Sequence, residues 1–197
     1  MSSSIVIEYD VYGFFFTERP VPIASLAPTR SFYVTSYSKC LAPAFRLGTL
    51  TVPAAYTAQT ELLLHASAWF VAPIPSEVVV RLIDGGQLET LLRERRLQAL
   101  ERYRVILHIF PKAAKLQFPA FYGWLPLPQE WSADQFAAAA ARGRGILVIP
   151  RIAAAVGKGD PGASRICLGA PRDVVALSDV LQTLRNILAR HAITLFL

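Results

Sequence analysis

The chain has 197 residues, of which 53% are hydrophobic and 17% charged, with a formal net charge of +6. That length suits one large domain or two small ones with a substantial core, and an apolar content above the ordinary globular balance implies that some surface meets another chain. Every apolar stretch is broken by proline or charge short of the roughly 18 residues a membrane helix needs, as at Pro73, Pro75 and Glu77, so no membrane partner is expected. The start, Met1-Ser2-Ser3-Ser4, lacks the basic region and cleavage site of a secretory signal, and a cytoplasmic location is expected.

Ile5 to Glu8, Ser31 to Thr35 and Leu47 to Val52 are short apolar or β-branched runs between turn residues, which predicts three buried strands. Arg19 to Pro28 is rich in proline and predicts a loop. From Ala54 to Ala68 the spacing turns helical, with Tyr56, Leu62, Leu63 and Ala66 on one face. A second helix is predicted with Ser76 as its cap, Val79, Val80 and Ile83 inward, and Gly85-Gly86 as its stop. A long third helix runs from Leu88 to Ile109.

Strands follow near Lys115 to Phe118, Tyr122 to Leu125, Ile146 to Ile149 and Arg165 to Leu168. Helices at Ala133 to Arg142 and Leu177 to His191 accompany them, with Ser132 and Ser178 as caps. This order predicts an α/β part at 1–87 and an α+β lobe at 88–197.

Cys40 and Cys167 have no neighbours at metal-ligand spacing, and both are expected to be buried as small hydrophobes; no metal site is predicted. His65, His108 and His191 are scattered on helices and read as structural or solvated. Arg93 to Arg104 is interleaved with Glu94 and Glu101, which reads as a solvated helix face rather than a nucleic-acid surface. Phe14-Phe15-Phe16 reads as a core or interface element.

The densest chemical constellation is Ser36-Tyr37-Ser38-Lys39-Cys40-Leu41-Ala42-Pro43-Ala44-Phe45-Arg46-Leu47-Gly48. Apolar neighbours and an arginine would disfavour the ammonium form of Lys39 and make its amine nucleophilic; the alternative is a surface lysine on a turn. The string resembles the active-site segment of fold-type I aminotransferases that depend on pyridoxal 5'-phosphate (PLP), in the branch shared by 2-aminoadipate aminotransferases and the effector domains of MocR-type GntR regulators. Ile7-Glu8-Tyr9-Asp10-Val11-Tyr12-Gly13 resembles that family's strand end before the cofactor. Ser164-Arg165-Ile166-Cys167-Leu168-Gly169 resembles its substrate-carboxylate strand.

The resemblance implies a cofactor, PLP, joined to Lys39 as a Schiff base, with Lys39 also shuttling the proton at the substrate α-carbon. Ser36 and Arg46 would contact the cofactor phosphate, and Tyr12 its phenolate oxygen. Arg165 would clamp the carboxylate of an amino acid or 2-oxo acid; read by spacing alone, it is an edge-strand arginine on a solvated face. Tyr9 stands where the family places the aspartate that pairs with the pyridine nitrogen, leaving Asp10, on the opposite strand face, as the candidate for that role. Pro119-Ala120-Phe121-Tyr122-Gly123-Trp124 follows the family's substrate-loop segment without its glycine pair.

The resemblance runs from Ile5 to His191 and covers only the C-terminal half of the family. It implies a partial large-domain sheet plus a small α+β domain. Two functions follow as expectations: amino-group transfer between an amino acid and a 2-oxo acid in a truncated, weakly active protein, or a non-catalytic effector or interaction module. A three-stranded remnant would expose a sheet edge, so a homodimer or a complementing N-terminal chain is expected as partner. No DNA-reading helix-turn-helix accompanies the basic charge, and no nucleic acid is expected to bind this chain alone.

Overall fold

A computed structural model describes residues 4–112, 119–150 and 162–194. It divides into two compact units, one ending at Arg95 and the other beginning at Arg96.

In the first unit, β1 (Val6–Tyr9), β2 (Ser31–Ser36) and β3 (Gly48–Thr51) form a sheet in the order β1-β2-β3. β1 pairs parallel with β2, Val6 facing Ser31 and Tyr9 facing Val34. β3 returns antiparallel to β2, with Ser36 opposite Gly48. The stretch between β1 and β2 contains a 3-10 turn at Gly13–Phe15 and a one-turn helix, α1 (Ile23–Leu26), where the prolines predicted only loop. Pro22 sets the extended entry to α1, and the Ala24 N–H donates to the Glu8 carboxylate at 2.9 Å.

A short 3-10 turn at Ala54–Tyr56 leads into α2 (Thr57–Ala68), then α3 (Pro73–Asp84) and α4 (Gln87–Ile109). The predicted apolar face of α2 does not form: Leu62, Leu63 and Leu64 are adjacent in sequence, spread around the helix, and all exposed. Nor does Ser76 cap α3. The helix starts earlier, at Pro73, whose missing N–H is no loss in a first turn, and the Ser76 hydroxyl bonds back to the Ala72 carbonyl at 2.8 Å. Val79 is buried, whereas Val80 and Ile83 are exposed. The stop is as expected, with the Gly85 N–H on the Arg81 carbonyl and Gly86 in the left-handed region at φ 69°.

The second unit holds an antiparallel sheet in the order β4-β6-β5, from β4 (Tyr122–Pro126), β5 (Ile149–Pro150) and β6 (Ala163–Cys167), with α5 (Ala133–Arg144) and α6 (Val174–Thr194). Of the strand expected at Ile146–Ile149, the described residues hold only Ile149–Pro150 as strand, and the strand expected at 115–118 lies outside the described residues. Tyr103, Ile106 and Ile109 of α4, Phe136 and Ala140 of α5, and Leu177, Leu181 and Leu184 of α6 pack with Leu125, Ile166 and Leu168. Burying each such leucine or isoleucine is worth about 1.5–3 kcal/mol, so this cluster is the main source of the lobe's stability.

Ser132 caps α5 in a reciprocal box with Gln135, at 3.1 Å in both directions. Ser178 is not the cap of α6. That helix begins at Val174, and Asp173 accepts from the Ala176 N–H at 2.7 Å. Among the described residues no helix is long and apolar enough to cross a membrane.

Candidate functional site

The segment from Ser36 to Gly48 is the connection between two antiparallel strands. It leaves β2 at Ser36, makes one helical turn in which the Leu41 N–H reaches the Tyr37 carbonyl at 2.9 Å, and closes where the Tyr37 N–H meets the Leu47 carbonyl at 3.0 Å. A 3-10 turn at Pro43–Phe45 ends on Arg46 in the left-handed region, φ 48° and ψ 32°. For a residue with a Cβ this conformation costs about 1–2 kcal/mol. Gly48 completes the turn because a Cβ there would stand 2.6 Å from the Thr35 carbonyl oxygen. The Arg95 guanidinium, from α4, fastens the segment by donating to the Leu41 carbonyl at 3.1 Å.

Lys39 is exposed on this turn, and its Nζ lies 5.9 Å from the centre of the Tyr12 ring. The chain therefore brings these two predicted residues together, while the apolar shell expected around the amine does not form. The Ser36 hydroxyl donates to the Leu47 carbonyl at 3.3 Å and accepts from the Ser38 N–H at 3.2 Å. Both bonds are long, and the hydroxyl can turn to an incoming anion at small cost. Arg46 is exposed.

Cys40 is buried as expected, and burial pushes its thiol up from the ordinary value, with backbone hydrogen bonds and Arg95 opposing only in part. Cys167 is exposed, contrary to expectation, because it falls on the β6 face opposite the helices.

Asp10 directly follows the last residue of β1 and is half-buried, where Tyr9 is exposed. Its carboxylate is bound by the Arg19 guanidinium and accepts from the Tyr33 hydroxyl at 2.8 Å, and Arg19 also donates to Tyr33. Partial burial works against the Arg19 charge, but the hydrogen bond and charge of Asp10 outweigh it and raise the pKa. The Tyr33 pKa is raised by burial and by Asp10, with Arg19 opposing. Arg19 and Tyr33 were not legible as partners of Asp10, since one sits in a proline-rich loop and the other is one residue among several in a strand. Tyr9, by contrast, is 73% exposed.

In the second unit, Arg165 occupies the middle of β6, the central strand, not an edge strand. Its guanidinium carbon stands 4.7 Å from the centre of the Tyr122 ring, a close cation–π contact. The arginines of α4 are not uniformly solvated either. Arg102 donates to the carbonyls of Leu168, Pro171 and Arg172 at 2.8, 2.9 and 3.3 Å, holding the turn from β6 into α6. Among the described residues no group of three His, Cys, Asp or Glu side chains could hold a metal ion.

No family model matches the chain. It superimposes on the kynurenine aminotransferase of Pyrococcus horikoshii, solved with PMP, with TM-score 0.81, 20% identity and coverage of 95% of this chain but 48% of that one. The LysN α-aminoadipate aminotransferase of Thermus thermophilus, carrying N-(5'-phosphopyridoxyl)-L-leucine, gives TM-score 0.78 at 19% identity, over 94% and 50% of the two chains. The fold is that of the C-terminal half of a PLP-dependent aminotransferase.

An uncharacterised HTH-type transcriptional regulator of Bacillus subtilis, YdeF, is 30% identical over 174 residues, 87% of this chain and 37% of its own length. The chain thus spans about half the length of the aminotransferases and just over a third of the regulator.

Proposed function

We propose that this aminotransferase-like half binds PLP covalently through Lys39 and serves as an effector or interaction module without amino transfer. The observation that carries the reading is the commitment of the Asp10 carboxylate to Arg19 and Tyr33, with an uncharged side chain at Tyr9. The donor set on the turn suits an aldehyde that carries a phosphate: an exposed primary amine on Lys39, a hydroxyl on Ser36 and a guanidinium on Arg46. The ring-nitrogen end is the poorer fit, because Asp10, the remaining carboxylate candidate there, would have to give up two partners.

PLP, when bound, supplies an electron sink for charge developing at a substrate α-carbon. Within this proposal Lys39 holds the cofactor, and only in the amino-transfer reading would it also move the proton at that carbon. Tyr12 bonds the phenolate oxygen, Ser36 and Arg46 take the phosphate, and Arg165 takes the carboxylate of an amino acid or 2-oxo acid. Residues 1–87 form the remnant of the cofactor-binding large domain and 88–197 the small domain. A cytoplasmic location, and a homodimer or a complementing N-terminal chain, complete the reading, and no nucleic acid binds this chain alone. The approach of Lys39 to Tyr12 favours a second reading, in which amino transfer persists at a low rate.

The deciding experiment adds PLP to the chain and to Lys39→Ala, and looks for a visible absorption band that borohydride converts to a covalent lysine adduct. A band present in the first and lost in the second is the expected result. Its absence from both would remove the cofactor from the proposal. Deuterium exchange at the α-carbon of an added amino acid then separates the two readings, since the effector reading requires that it stay at background.

A further inference from the structure

The face of the β4-β6-β5 sheet opposite the helices carries an arginine beside two aromatic side chains of the neighbouring strand β4. Gly123 and Leu125 of β4, and Ser164 and Ile166 of β6, are buried. Strand alternation therefore puts Tyr122, Trp124 and Arg165 together on the other face, where all three are half-buried. Trp124 is the direct cross-strand partner of Arg165, and Tyr122 is its diagonal neighbour. Among the described residues Arg165 has no carboxylate partner; its contact is the Tyr122 ring at 4.7 Å.

A guanidinium flat against one ring is restrained in orientation yet keeps its in-plane N–H donors free, which is the presentation a carboxylate takes with two parallel hydrogen bonds. A cross-strand neighbour lies about 5 Å away at Cβ, so a group attached to that carboxylate comes within reach of the Trp124 indole. An indole offers a broad apolar surface to a flat ring and little to a methyl group.

We infer that Tyr122 and Trp124 make Arg165 selective for carboxylates that carry a planar aromatic group, such as an aromatic 2-oxo acid or amino acid. Tyr122 orients the guanidinium and Trp124 stacks on the ligand ring. The inference rests on Arg165 as the carboxylate anchor and assigns that anchor its substrate class.

The test is ligand-observed NMR titration of the full chain with phenylpyruvate, with pyruvate, which has the same acid and no ring, and with 2-phenylethanol, which has the ring and no acid. Phenylpyruvate should bind about tenfold more tightly than either, the ratio that roughly 1.4 kcal/mol of stacking produces. Trp124→Ala should bring phenylpyruvate to within about threefold of pyruvate, whereas Trp124→Phe should retain most of the preference. Arg165→Gln should abolish binding of both acids.

Equal affinity for the two acids overturns the inference while leaving Arg165 as an anchor. Failure of both acids to bind, or binding of 2-phenylethanol as tight as that of phenylpyruvate, overturns the anchor as well. The Lys39 absorption band is scored separately, so loss of the cofactor reading is told apart from loss of either of these. Circular dichroism of each variant confirms that the lobe is folded.

Discussion

Replacing Arg102 with alanine should destabilise the second unit far more than removal of any other arginine charge on an exposed stretch of α4. Arg102 gives two short hydrogen bonds, at 2.8 and 2.9 Å, and one longer bond at 3.3 Å, to three carbonyls of a single turn. A hydrogen bond from a charged donor contributes about 1.5–3 kcal/mol net, but this site is only partly buried and water can replace some of what is lost. Counting the two short bonds at the low end gives about 3 kcal/mol for Arg102→Ala. Arg102→Lys, with one ammonium in place of a planar fork, should lose about half of that. For a unit of this size, with a urea slope of about 1–3 kcal/mol/M, the alanine variant should unfold about 1–3 M earlier. The control is Arg93→Ala, whose arginine is exposed and reaches only the Thr90 hydroxyl at 3.4 Å; its midpoint should be nearly unchanged. Urea unfolding followed by circular dichroism measures all three, and a midpoint for Arg102→Ala within about 0.3 M of the control would refute the assignment of the turn's stability to this side chain.

Stability should fall on the alkaline side through Tyr33 and Cys40. Both groups have pKa values raised in the folded chain above ordinary values of 10.0 and 9.0, so their contribution is complete below the unfolded values and is lost as pH rises through the folded ones. Urea titrations at a series of pH values from neutral upward should show that loss beginning near pH 9, and Tyr33→Phe together with Cys40→Ser should flatten it; an unchanged profile in the double variant would contradict the assignment. The first unit should also associate in a concentration-dependent way, because Ile7 and Tyr9 on β1 and Leu62 and Leu63 on α2 are exposed apolar side chains. Light scattering should record a lower mean mass for Ile7→Lys than for the parent chain, and a monodisperse parent monomer would count against the surface being an interface.

The positions of the strand runs at Ile5, Ser31 and Leu47, though not the burial expected for β3, whose residues are all exposed, were readable from sequence, as were the long helix after Leu88 and the Ser132 box, because each depends on neighbours a few residues away: β-branched runs, near-helical spacing, a cap and its Gln135. The turn from Ser36 to Gly48 was legible through the family string it resembles, and its glycine is required by one close backbone approach. What sequence misjudged was which apolar residues find a partner. Leu62, Leu63, Val80 and Ile83 read as inward-facing and stand exposed, since periodicity reports that a side chain is apolar and says nothing about whether a second surface arrives to cover it.

Tertiary structure alone decided the state of the charged residues. Arg102 and Arg93 belong to the same mixed-sign stretch, yet one closes a turn 66 to 70 residues away and the other faces solvent. Asp10 was legible as a carboxylate beside a site, but its pairing with Arg19 and Tyr33 depends on β1 and β2 lying parallel in one register. Likewise the place of Arg165 in a central strand, beside Trp124 and Tyr122 of β4, follows from the register of β4 on β6. Local pattern determines which elements form. The long-range pairing of those elements determines where each charge ends up, because an ion or a cation–π contact acts over a few ångströms and the sequence distance between its partners carries no such information.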